Sequence, residues 1–400
     1  MNIRTSILIL SVVLINACKR DNIPIPYGAV PIIYCGYILV PVSFDSVKGN
    51  FLLDTGAQNV HFDSIFYSDN PFAYNYLKEI KIWGIGNSFQ IATLIRDTIY
   101  FQLKDESYKT RNIVVHSLKP IGGDIIDGLV GLKFFSNKVL EINYPRQFIN
   151  IFSTIDSVNT SGYSSIPIER QEGQIFIPLK ITLNDKVSFN GKYLVDIGSS
   201  LSTITSSVAY NYKFDEVIER KVGYYTKYGG VGGYSAGFDF IADSLTISNF
   251  FLKNVNMSYS SDTAGLMASE DFYGIIGNNI LERFDIIFDF NNDSLYLKPN
   301  KKFKEPYEFD KLGFTYVDRH KTKGGWVVTG LSNNSQAEKK GLLIDDIIIS
   351  VNDIPVEKIQ YSYFSDYFKK VDEVILVVNR AGNILEIEFD IAPMITFQQQ

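Results

Sequence analysis

The chain has 400 residues, enough for two or three domains with sizeable cores. A net charge of −6 with no long Lys/Arg run excludes a nucleic-acid surface. His61, His116, His320 and the two cysteines are scattered without metal-ligand spacing, so neither a metal nor another cofactor is expected.

The first 17 residues read as an export signal. Arg4 precedes an apolar run from Ile7 to Ile15 that is too short to span a bilayer. Ile15-Asn16-Ala17-Cys18 then resembles the lipobox of bacterial lipoproteins. The resemblance implies cleavage before Cys18, lipidation of that residue, and a membrane-anchored protein of the cell envelope. The outer membrane, on its periplasmic or surface face, is the expected location. Cys35 would then be the one remaining cysteine, which leaves no intramolecular disulfide. Residues 18–26, with Pro24 and Pro26, read as a tether.

Aromatic residues make up 14% of the chain, with 25 Tyr and 29 Phe, and the pattern beyond the tether favours strands. Two runs then say nearly the same thing. Phe51-Leu52-Leu53-Asp54-Thr55-Gly56-Ala57 is the first, and Tyr193-Leu194-Val195-Asp196-Ile197-Gly198-Ser199 is the second. Each is followed by a second shared signature, Asp127-Gly128-Leu129-Val130-Gly131 and Tyr273-Gly274-Ile275-Ile276-Gly277. A repeat of about 140 residues is too long for a solenoid and predicts two similar domains facing each other. We place them at residues 27–158 and 159–300, with a polar hairpin at Asn184-Asp185-Lys186 in the second.

An apolar strand ending in Asp-Thr-Gly-Ala, with an apolar-apolar-Gly strand later in the same unit, closely resembles the retropepsin and pepsin families of aspartic proteases. The resemblance implies two pseudo-symmetric β-barrel lobes in one chain. It also implies a polypeptide substrate held between them and catalysis by Asp54 and Asp196. Two neighbouring carboxylates cannot both ionise easily, so they share a proton. One serves as base toward water and the other as acid toward the carbonyl. Thr55, Gly56, Ala57, Gly198 and Ser199 would support the two loops. Ser199, as a hydroxyl donor to Asp196, would make Asp196 the more readily ionised member and Asp54 the proton carrier. Ile197 departs from the family, which has a hydroxyl residue there to bond across to the facing lobe. A copy that kept the lobes and lost turnover, acting as a peptide-binding scaffold, is the competing expectation.

Two glycine-rich stretches match the family's flap region. Trp83, Gly84 and Gly86 belong to the first, and Gly230 and Gly232 to the second. Gly233-Tyr234-Ser235-Ala236-Gly237 fits a hydrolase elbow in letters alone. It lacks the strand before and the helix after that such an elbow needs.

Pro299 to Pro306 reads as a charged linker to a third domain at 303–394. Leu312-Gly313-Phe314, then Ala337 to Leu342, then Ile347 to Asn352 resemble a PDZ domain. Asp345 and Asp353 stand at its usual glycine positions. The resemblance implies a C-terminal peptide ligand, its carboxylate held by the loop at Leu312, Gly313 and Phe314, beside a helix over 360–371. The expected whole is a mainly β, monomeric, lipid-anchored aspartic endopeptidase with a PDZ domain.

Overall fold

The computed structural model describes residues 24–395, apart from 45, 71, 73, 75, 76, 105 and 362–366. The signal, Cys18 and the first part of the tether lie outside these residues, as does the middle of the helix expected over 360–371. The described chain is mainly β.

Ile38–Phe44 and Val47–Asp54 form an antiparallel hairpin. Their β-branched and aromatic residues suit a pleated, half-buried surface. Phe44, Phe51, Phe62 and Phe101 meet on its inner side, with Phe44 and Phe62 edge to face at 4.6 Å. Val47–Asp54 runs parallel to Gly128–Gly131, which lies antiparallel to Val60–Asp63. The second half repeats this arrangement. Gln174–Thr182 pairs with Ser188–Val195, which runs parallel to Gly274–Ile276 and, through it, beside Thr203–Ile204. The intervening turn is closed by the Asn184 side-chain oxygen Oδ1, which accepts from the amides of Lys186 and Val187.

A six-stranded sheet joins the halves. At its centre Val139–Asn143 pairs with Phe284–Asp289, bringing Leu140 opposite Phe288 and Ile142 opposite Ile286. All four side chains are fully buried. Each such burial is worth about 1.5–3 kcal/mol, so this seam holds the halves firmly together.

The segment expected to be a charged linker is instead packed. Lys301–Lys304 forms a 3-10 turn. The Arg283 guanidinium donates to the carbonyls of Lys302 (2.9 Å) and Glu305 (2.6 Å) and lies 3.6 Å from the Tyr307 ring centroid. The buried arginine satisfies carbonyls that a loose linker would give to water.

The C-terminal unit has its own core around the fully buried Trp326. Asp345 (φ 73) and Asp353 (φ 62) adopt the left-handed conformation expected of them. This unit is not a separate bead. Its strand Gly325–Ser332 pairs with Lys221–Gly230 of the second half, Tyr225 opposite Leu331.

Candidate active site between the two halves

Each repeated strand carries its aspartate to the seam and then turns sharply. The loops approach so closely that side chains would not fit. A Cβ on Gly56 would lie 2.8 Å from Asp196 Oδ2, and one on Gly198 would lie 2.6 Å from Asp54 Cγ. The repeated Asp-x-Gly therefore has a steric reason, because each glycine makes room for the other half's carboxyl group. The two carboxyls are hydrogen-bonded to each other.

Backbone amides of each loop hold its own carboxyl. Asp54 Oδ1 accepts from the amides of Gly56 (2.8 Å) and Ala57 (2.9 Å). Asp196 Oδ1 accepts from Gly198 at 2.8 Å. Burial raises the pKa of both groups, and raises Asp196 well above the usual carboxylate range, with the adjacent Asp54 charge adding to it. The two carboxyls therefore titrate as one coupled pair. The sequence expectation made Asp196 the readier anion. That expectation relied on Ser199, whose hydroxyl instead donates to the Leu201 carbonyl at 2.8 Å.

Thr55 is fully buried and crosses the seam. Its hydroxyl donates to the Val195 carbonyl at 2.6 Å and accepts from the Ile197 amide at 3.1 Å. Ile197 returns no such bond. Asn278, which the sequence motifs do not single out, ties the second loop down instead. Its carboxamide donates to the carbonyls of Ile197 (2.8 Å) and Gly36 (3.0 Å), and its oxygen accepts from the Tyr144 hydroxyl at 2.7 Å. A signal was present, since Asn278 follows Gly277 where Leu132 follows Gly131 in the first copy.

Apolar patches flank both loops. Leu52, Ala57 and Leu129 pack with Leu39, Leu118 and Ile126 in the first half. Phe176, Leu194 and Ile275 pack with Met267, Phe272 and Ile85 in the second. Ile85 comes from the first half. It sits at the tip of the hairpin formed by Leu77–Trp83 and Phe89–Ile95, and reaches the wall of the second half.

The two glycine-rich tips meet. The Gly232 amide donates to the Ile85 carbonyl at 2.7 Å, and the Ser88 amide donates to the Gly232 carbonyl at 2.9 Å. Asn87 fastens the junction. Its side-chain nitrogen donates to Asp262 at 2.8 Å, and its oxygen accepts from the Thr263 amide at 2.8 Å. A Cβ on Gly86 would lie 2.4 Å from the Gly232 carbonyl carbon, which explains the glycines at this contact. Gly84 contributes its carbonyl to the Leu266 amide, while Gly230 packs against Ile85. Trp83 has a different place from the one expected. It is 59% exposed and packs on Phe89, because it shares the outward face of its strand with Leu77, Glu79 and Lys81.

His61 and His116, apart in sequence, form a pair with Nδ1 to Nε2 at 2.9 Å. His61 lies beside Leu129 in the strand register. Burial pushes their pKa values down to about 3 and about 4, so both imidazoles are neutral. Ser235 lies in a strand and donates to Asp262, consistent with the rejected elbow.

In the C-terminal unit, the amides of Leu312 and Gly313 donate to the Asp310 carboxylate at 2.9 and 3.0 Å, and Phe314 is buried. Residues 303–378 match the PDZ domain family, so this unit is a PDZ domain, a fold that binds peptides by strand addition. No curated protein matches the chain.

Proposed function

We propose that this chain is an aspartic endopeptidase with two pseudo-symmetric, retropepsin- and pepsin-like lobes and a PDZ domain, working on polypeptides. The observation that carries the reading is the reciprocal contact of Asp54 with Gly198 and Asp196 with Gly56. Paired, buried carboxyls joined by a hydrogen bond are what water activation without a metal requires.

Asp54, the anion, takes a proton from water as its oxygen attacks the scissile carbonyl carbon. Asp196 gives its proton to the carbonyl oxygen, forming a neutral diol. Collapse of the diol breaks the C–N bond as Asp54 gives its proton to the leaving nitrogen and Asp196 takes one from a diol hydroxyl, which restores the pair. The apolar patches beside Ala57 and Leu194 favour apolar substrate side chains around the scissile bond, and the closed tips would keep bulk water out.

Export and lipid anchoring at Cys18 belong to the same proposal. Labelled palmitate incorporated by the wild type and not by Cys18→Ser tests the anchor. For turnover, casein is incubated with wild type and Asp54→Asn across the acid-to-neutral range. Cleavage by the wild type alone supports the enzyme. Identical behaviour of the two favours a scaffold that binds peptides without cutting them.

A further inference from the structure

The peptide groove of a PDZ domain runs along a free strand edge. Here that strand is Phe314–Arg319, whose other edge is paired with Gly325–Ser332. Parts of the chain itself stand at both ends of this groove. At the loop that would take a carboxylate, Asp310 already holds the Leu312 and Gly313 amides. Farther along the strand, the Asp124 amide of the first half donates to the Asp318 carbonyl at 2.7 Å. Gly123 lies so close that a Cβ would stand 2.8 Å from that oxygen and 3.3 Å from the Asp318 nitrogen. A turn of the first half therefore caps this edge at Asp318 through one backbone hydrogen bond and close packing of Gly123.

Side chains secure the contact. Arg319 Nε donates to Asp124 Oδ1 at 2.8 Å, and the Thr322 amide donates to Asp124 Oδ2 at 2.9 Å. The Thr322 hydroxyl donates to Asp124 Oδ1 at 2.8 Å. Asp124 and Arg319 are both 7% exposed. The segment is held in shape before it reaches the groove. Lys119 Nζ donates to the carbonyls of Asp124 and Ile126, and Asp63 accepts from the amides of Leu118 and Lys119. Gly123 takes φ 85, a conformation that favours glycine.

We propose that the ligand of this PDZ domain is its own chain. Gly123 and Asp124 occupy the groove edge, and the domain latches the two halves together. It holds the first half at Phe314–Arg319 and the second at Gly325–Ser332, through the strand Lys221–Gly230. Both holds lead to the candidate active site. Leu118 and Ile126, on either side of the bound segment, pack with Leu129 beside Ala57, and Lys221–Gly230 leads to the glycine tip that meets Gly86. A free peptide with a C-terminal carboxylate must displace this segment. Its apparent affinity is reduced by the fraction of time the edge stands open.

The test uses the full chain and no activity readout, so it stands whether or not the protein cleaves peptides. Fluorescein-labelled peptides of random sequence ending in a free C-terminal valine are titrated into wild type, Asp124→Asn and Thr322→Val, with amidated peptides as control. Amide exchange is followed over 118–126. The expected result is binding roughly tenfold tighter, or more, to Asp124→Asn than to wild type. A smaller shift in the same direction is expected for Thr322→Val, whose exposed side chain leaves the fold unstrained. Exchange over 118–126 should quicken in both variants and when peptide binds. Equal binding to all three proteins overturns the proposal, as does binding to none of them. Unchanged exchange over 118–126 on peptide binding overturns it as well.

Discussion

The Asn278 carboxamide donates to the Ile197 carbonyl at 2.8 Å, supplying a restraint on the second aspartate loop that the Ile197 side chain cannot supply. The same amide reaches Gly36 of the first half, so it crosses the seam as Thr55 does from the other side. Removing a buried hydrogen-bonding group that leaves its partners unsatisfied costs about 1–3 kcal/mol. Asn278→Leu should therefore lower stability by about 2 kcal/mol in urea unfolding. Adding Ile197→Thr to it should return about 1 kcal/mol, because the new hydroxyl would stand in the second loop where Thr55 stands in the first. The two changes touch one network, so their effects should not add. Strict additivity in the double-mutant cycle would remove the case for Asn278 as a replacement lock.

The proposed mechanism places the proton of the dyad on Asp196, whose pKa is raised by burial and by the adjacent Asp54 charge, and the Ser199 hydroxyl is engaged elsewhere. Ser199→Ala should leave the pH profile of casein cleavage unchanged, whereas Asp54→Asn and Asp196→Asn should each abolish cleavage. Stability separates the carboxylates from their catalytic role. A carboxyl whose folded pKa is raised contributes stability that is fully present below the ordinary carboxylate range and lost as pH rises. Asp196→Asn removes that loss, so its melting temperature should exceed that of the wild type at neutral pH and approach it in acid. A variant less stable than wild type at neutral pH would contradict the protonation assigned to Asp196.

The aspartate loops were legible because duplication left the same short strand and glycine in both copies, with each glycine fixed by a contact that admits no side chain. The PDZ unit was legible for a similar reason, since its turn residues at 345 and 353 take the backbone angles their positions require. What sequence could not show were relations across the seam. Asn278 is one of two adjacent asparagines, with nothing in the letters to tell them apart, and its three partners lie in different segments. The Trp83 expectation failed on strand parity, since a shift of one residue sends a side chain to the opposite face. The charged letters of 299–306 suggested a linker, because the buried Arg283 that collects its carbonyls lies outside that stretch.

Asn87 fixes the contact of the two tips with both ends of one side chain. Asn87→Ala removes those bonds while leaving the strands behind the tips paired. Amide exchange at 84–88 and 229–234 should rise together, with exchange in the six-stranded sheet unchanged. If the tips gate access, KM for a casein-derived peptide should rise several-fold and kcat should change less. Exchange rising at one tip alone would show that the two do not move as a pair.

A second carboxyl pair lies where the second half meets the PDZ domain. Asp239 and Asp310 line a cavity of about 20 Å³ with Val222, Asn256 and Ser332. Burial pushes the Asp239 pKa up to about 7, with the neighbouring Asp310 charge adding to it and the Ser258 hydroxyl opposing it. The folded protein therefore binds a proton that the unfolded chain releases above the ordinary carboxylate range. The associated stability is complete in acid and is lost as pH rises toward and past about 7. Asp239→Asn keeps an oxygen for the Ser258 hydroxyl and carries no charge. It should be near neutral in acid and stabilise by up to about 4 kcal/mol above pH 7, since the rise from 3.8 to about 7 is about a thousandfold in proton affinity and each tenfold corresponds to about 1.4 kcal/mol. The His61–His116 pair acts in the opposite sense. Its depressed pKa values give stability that is present above the ordinary histidine range and is lost as pH falls through it. Chemical denaturation of both proteins across the acid-to-alkaline range separates the two contributions. In Asp239→Asn the decline toward high pH should flatten while the decline toward acid persists. An unchanged alkaline limb would mean that Asp239 ionises freely in the folded protein.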